Sequence, residues 1–215
     1  MSNNESFIDE VTDEVRRDKL FGLMRRYGWI AILAVLMIVG GAAFREYRVA
    51  QAQAESKAFG DAVLAALDMN DPAARRTALA AVPAAGPRAG VLGLLLASDP
   101  VTDRAAALAA LEKVAADATL PTSYRDLAVL RRVTVAGADL PIADRRALLD
   151  PIAAAGRPFR PLAMEQLVIL SVEAGETDAA IKALQALRQD EQATAALRRR
   201  SDQMIVALGG TPATQ

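Results

Sequence analysis

Two side chains that carry much of enzyme and metal chemistry are missing: the 215 residues contain no cysteine and no histidine. Without cysteine no disulfide can form, so thiol chemistry does not announce the compartment, although a chain with no thiol suits an oxidising one. Without histidine the commonest metal ligand and the commonest general base are gone, and zinc sites of the usual Cys/His kind are excluded. Aromatics make up only 4% of the chain, alanine and leucine dominate, and the composition is that of a helical protein. Positive charge is not in excess, with 25 Lys and Arg against 26 Asp and Glu. That balance argues against a nucleic-acid binder, which would present a basic face.

Two further absences are local. No proline precedes Pro72, and no charged residue lies between Arg26 and Arg45. The uncharged run, "YGWIAILAVLMIVGGAAF", is near the short end of what crosses a hydrocarbon core of about 30 Å. Tyr27 and Trp29 at one end, and Phe44 and Tyr47 at the other, are rings suited to the headgroup layer. A buried core helix would usually be shorter and keep some polar residue. A secretory signal would open on a short basic stretch, whereas a polar, acidic segment precedes this run. The small residues of "GGAAF" leave a cleaved signal as the alternative to an uncleaved span over 27–45, which is our reading. Arg16, Arg17, Lys19, Arg25 and Arg26 precede the run and Arg45, Arg48 and Lys57 follow it. The basic excess places the N-terminal side in the cytoplasm and the C-terminal bulk across the membrane.

Residues 1–26 read as a cytoplasmic arm, with Phe7, Ile8, Val11 and Val15 near one helical face and Ser6 able to cap. Residues 46–71 read as a helical stalk continuing the span, with Val49, Ala52, Phe59, Val63, Leu64 and Leu67 keeping helical periodicity. From Asp71-Pro72, a cap followed by a proline at the first helical position, the text becomes helix, breaker, helix. Three helix pairs have first members beginning near Gly90, Tyr124 and Pro161 and internal breaks near Asp99, Gly137 and Gly175. The interval of about 34 to 38 residues is that of helix-turn-helix repeats of the tetratricopeptide type, expected over 72–208. Pro151 should break or kink the helix it interrupts. A closing helix over Thr194–Leu208 stops at Gly209-Gly210, leaving a flexible tail over 209–215.

No constellation in this sequence has the form of an active site. Asp9/Glu10 and Asp13/Glu14 pair carboxylates on an exposed arm, where solvation explains them. Ser56 and Lys57 are neighbours, and helical neighbours point about 100° apart, which defeats a Ser-Lys dyad. Arg198, Arg199 and Arg200 would fan round a helix as a solvated face rather than gather on an anion. We expect no enzyme, no catalytic, cofactor-binding or metal-ligating residue, and no cofactor.

The last pair, "PLAMEQLVILSVEAGETDAAIKALQAL", resembles a tetratricopeptide repeat. Leu167 falls at the packing leucine, Gly175 at the turn glycine, Ala180 at the small residue of the helix crossing and Leu184 at the large apolar position of the second helix. Met164 in place of an aromatic, Val168 in place of a small residue and the missing terminal proline mark it as degenerate. The layout of arm, single span, "EYRVAQAQAESKAFGDAVLAAL" and degenerate repeats resembles the membrane-anchored ancillary subunit family of the bacterial Sec translocon. That resemblance implies an inner-membrane protein with a periplasmic repeat domain, whose partners are the translocon and membrane-anchored periplasmic chaperones. An envelope-growth or cell-division coordinator, and a tethered regulator acting through its arm, are the alternatives. Ligands are expected on the face of the first helices, near Leu92, Leu127 and Leu167.

Overall fold

The structure, a computed structural model, describes the main chain of residues 3–211 and the side chains of residues 25–211 apart from Ala31. The described residues are helical and contain no strand. Phe7, Ile8, Val11 and Val15, the carboxylate pairs at 9–10 and 13–14, and residues 212–215 of the tail lie outside the described side chains.

The chain divides into two compact units, Met1–Gly60 and Asp61–Gln215. The first helix, α1 (Asn3–Leu67), is continuous, as the absence of an early proline predicts. Its uncharged stretch is long and apolar enough to cross a membrane, a property shared by export signals near an N-terminus. Leu36, Met37 and Ile38 are 66%, 65% and 71% exposed, so this is not the core helix of a globular fold. At its ends Arg26 lies over the Tyr27 ring at 5.9 Å and Arg48 over Phe44 at 5.8 Å.

The second unit begins inside the stretch expected to be a stalk. Residues 46–58 of α1 are exposed, but Val63 and Ala66 are buried, so the last turns of α1 belong to the helical unit. A helix can pass from one environment to another without a break, and nothing local in the sequence marks the change.

Among the described residues eight α-helices follow: α2 (Pro72–Ala80), α3 (Pro87–Leu96), α4 (Arg104–Ala116), α5 (Thr122–Ala136), α6 (Ile142–Leu149), α7 (Arg160–Glu173), α8 (Thr177–Gln189) and α9 (Ala195–Ala207), with a 3-10 turn at Gly137–Asp139. Local signals explain their ends. Asp71 accepts from the Ala74 N–H at 2.8 Å at the start of α2, Asp103 from Ala106 at the start of α4, and Thr194 from Leu197 at the start of α9. Helix α6 stops at Leu149, just before Pro151. Gly175 adopts φ +76° after α7, where Glu176 N–H reaches back to the Ser171 carbonyl at 2.9 Å.

Each helix from α2 to α9 packs against its neighbour in sequence, and α3 also packs on α5. Tyr124, near the start of α5, lies against Gly90 near the start of α3, and Arg131 reaches the carbonyls of Leu94 and Ala97 at the far end. Those contacts make α3 and α5 parallel. Arg104, opening α4, donates to Val135 and Ala136 at the end of α5, so α4 runs antiparallel to it.

The core is a chain of small clusters rather than one centre. Leu111, Val114 and Ala128 form one, Leu130, Leu149 and Leu170 a second, and Val168, Ala180, Leu184 and Ile205 a third. Ala180 is fully buried and Leu167 packs at the edge of the second cluster.

Candidate interaction surfaces

Ser56 donates its hydroxyl to the Ala52 carbonyl at 2.8 Å, the ordinary bond of a helical serine, and so is not directed at Lys57. The three arginines of α9 do fan out. Arg200 grips both oxygens of Glu165 on α7 at 2.8 Å, and Arg198 caps the Asp190 carbonyl at 3.1 Å. All three are exposed, as a solvated face requires, and two of them also tie α9 to its neighbours. Among the described residues there is no group of three or more acidic, cysteine or histidine side chains that could hold a metal.

Arginines tie distant helices together throughout the second unit. Arg75 donates to Met69 past the end of α1, Arg131 to the end of α3, Arg104 to the end of α5 and Arg198 to the residue after α8. Each satisfies carbonyls that a helix terminus leaves unpaired, and places positive charge at the negative end of the helix. Arg157, in the turn before α7, pairs with Asp126, a buried carboxylate on α5. Arg145 and Arg146 hold Glu173 and Glu176 below the usual range, and hydrogen bonds from Thr102 and Thr119 do the same for Asp99 and Asp117. Sequence reasoning missed the bonds between helices because these, such as Arg104 to Val135, Arg131 to Ala97, Arg145 to Glu173 and Arg157 to Asp126, join residues some thirty positions apart.

Two apolar surfaces are left over. The first is a groove of about 400 Å³ between α2, α3 and α4. Its floor is α3, with Leu92, Gly93 and Leu96, and its walls include Ala80, Ala110 and Val114. Gly93 brings α3 close to α4, since a Cβ there would lie 2.3 Å from a Val114 methyl. The second is a stripe on α7, where Leu162, Ile169 and Val172 are 41%, 40% and 37% exposed. At spacings of seven and three they share one helical face.

Leu92 is buried in the groove floor, and Leu127 and Leu167 are half-buried, as leucines that pack the first helices into the fold would be. Their exposed counterpart on α7 is the stripe. It was legible in one respect: α7 carries apolar residues all round, more than a helix buried on one side needs. No family model matches the chain, and no curated protein or solved structure is similar to it.

Proposed function

We propose that this chain is a non-enzymatic, membrane-anchored scaffold that binds proteins through a degenerate tetratricopeptide-like solenoid. In this reading residues 27–45 form an uncleaved span in a bacterial inner membrane. The N-terminal arm is cytoplasmic and the helical unit periplasmic. Its partners are the Sec translocon and a membrane-anchored periplasmic chaperone, which it links.

The observation that carries the reading is the exposed stripe of Leu162, Ile169 and Val172 on a helix otherwise stapled into the fold at both ends. Exposed apolar side chains grouped on one helical face are the kind of surface on which another protein can sit. Starts of α3, α5 and α7 at residues 87, 122 and 160 support the repeat reading, because such intervals belong to stacked helix pairs. Sequential packing of helices, with small clusters in place of one core, supports it too.

The test is site-specific photocrosslinking in cells, with probes at positions 162, 169 and 172 and a control probe at the exposed Ala143 on α6. Translocon subunits or an anchored chaperone should be captured at the stripe and not at the control. Capture of division or cell-wall proteins alone would replace the translocon reading with a coordinator. Loss of the crosslinks on deleting residues 1–26, with the span kept, would move the function to the arm. Equal capture at stripe and control would remove the stripe as a binding surface.

A further inference from the structure

Arg104, Arg131, Arg145 and Arg200 of the second unit are engaged by carbonyls and carboxylates. Arg45 and Arg48 of α1, just past the uncharged run, are not. Among the described residues Arg45 has no hydrogen bond or ion pair, and Arg48 meets only the Phe44 ring. The sequence explains why. On a helix a side chain finds its neighbours three and four positions away. For Arg45 these are Gly41, Ala42, Arg48 and Val49, and for Arg48 they are Phe44, Arg45, Gln51 and Ala52. None is acidic. Two carboxylates lie nearby in sequence, Glu46 and Glu55. At about 100° per residue, Glu46 points about 160° away from Arg48 and about 100° away from Arg45. Glu55 shares the face of Arg48 but stands two turns further from the uncharged run, about 10 Å along the axis.

The Arg48 guanidinium lies 5.8 Å from the centre of the Phe44 ring, one turn back toward the uncharged run. Long basic side chains at a membrane boundary usually reach outward to water, whereas this one is held at the level of the last apolar turn. Gly41, Phe44, Arg45 and Arg48 stand at i, i+3, i+4 and i+7, and so share one face. A Cβ at Gly41 would meet nothing within 4 Å, so that face has an open notch one turn before the ring and the two cations. Paired guanidiniums beside a ring and a bare stretch of helix suit a phosphate with a hydrocarbon chain next to it. The headgroup is selected as well. An ethanolamine or choline ammonium would bring positive charge beside the second guanidinium, and a neutral glycerol would not. We propose, resting on the reading of residues 27–45 as an uncleaved span, that Arg45 and Arg48 bind the phosphate of an anionic phospholipid of the phosphatidylglycerol class, with an acyl chain against Gly41. The other end of the run has no such pair, because Arg25 and Arg26 are adjacent and point about 100° apart.

The experiment uses the full chain in phosphatidylcholine nanodiscs, with Trp29→Phe and Phe44→Trp to move the single tryptophan to the site while keeping a ring beside Arg48. A minor fraction of lipid brominated in one acyl chain quenches the indole by contact. Brominated phosphatidylglycerol should quench as if enriched about fivefold over brominated phosphatidylcholine or phosphatidylethanolamine at the same fraction. Arg45→Gln/Arg48→Gln should bring that ratio close to one. Gly41→Leu fills the notch and leaves every charge in place, and it should at least halve the enrichment. Glu46→Gln, pointing away from Arg48, should leave it unchanged. Circular dichroism verifies that each variant keeps its helix. A ratio indifferent to Gly41→Leu, or raised by Glu46→Gln, would mean general attraction to a cationic segment and would overturn the site. Equal enrichment of phosphatidylethanolamine would overturn it too, as would a ratio near one before any arginine is changed. Failure of the span reading looks different: the chain would stay out of the discs, or its intact mass would show cleavage after "GGAAF", and the site would fall with it.

Discussion

Arg145 on α6 donates to both carboxylate oxygens of Glu173 at the end of α7, at 2.7 and 2.6 Å, while its Nε donates to the Leu140 carbonyl at 2.8 Å. The guanidinium is buried, with its side chain 6% exposed, and one residue joins three parts of the chain. The pair holds Glu173 below its ordinary value of 4.5, and the neighbouring Arg146 does the same to Glu176. A carboxyl titrating lower in the folded than in the unfolded chain contributes stability that is complete above the unfolded value. That contribution fades as pH falls through 4.5 toward the lower folded value. The midpoint of thermal unfolding should therefore drop as pH is lowered below 4.5, and less steeply in the double variant Glu173→Gln/Glu176→Gln. Parallel curves for the two proteins would show that these pairs do not set the acid response.

Ala180 sits fully buried at the crossing of α7 and α8, in one cluster with Val168, Leu184 and Ile205. No space remains for a larger side chain. Ala180→Trp should lower stability by about 1–3 kcal/mol, the usual cost of overpacking a filled core. Urea denaturation of the purified protein measures it, and an unchanged midpoint would mean that the crossing lies elsewhere.

Gly93 and Val114 make the same argument for α3 and α4. A Cβ at position 93 would stand 2.3 Å from a Val114 methyl. Valine is stiff at χ1 and sits in a helix, so it cannot simply turn away. Gly93→Ala should cost about 1–3 kcal/mol despite the better helix propensity of alanine. In a Val114→Ala background most of that cost should disappear, and a double-mutant cycle would read the coupling. Independent, additive effects would contradict the contact.

Topology is the fourth prediction. The basic excess before "YGWIAILAVLMIVGGAAF" points to an N-in, C-out orientation. A C-terminal alkaline phosphatase fusion should be active and a C-terminal green fluorescent fusion dark. The opposite pattern would exclude a periplasmic helical unit. An immunoblot of the phosphatase fusion also distinguishes an uncleaved span from an export signal, since cleavage after "GGAAF" would shorten the product by some forty residues.

The helices themselves were written locally. Asp71 and Pro72 start α2, Pro151 follows the end of α6, Gly175 turns the chain after α7, and Thr194 caps α9, each at the place the sequence indicates. Such signals act through one side chain and the main chain three or four residues away, so they survive without tertiary contacts. The apolar stretch of α1 is legible for the same reason, because crossing a bilayer depends on length and composition alone. Other features exist only once helices meet. Neither the reach of Arg131 to Leu94 and Ala97 nor the burial of Asp126 beside Arg157 leaves a mark in a single sequence. The same holds for the inclusion of Val63 and Ala66 in the helical unit and for the groove over Gly93. Periodicity can say that α7 has too much apolar surface for one buried side, but not which part stays uncovered. That choice belongs to packing: Val168 and Leu170 found neighbours, while Leu162, Ile169 and Val172 did not.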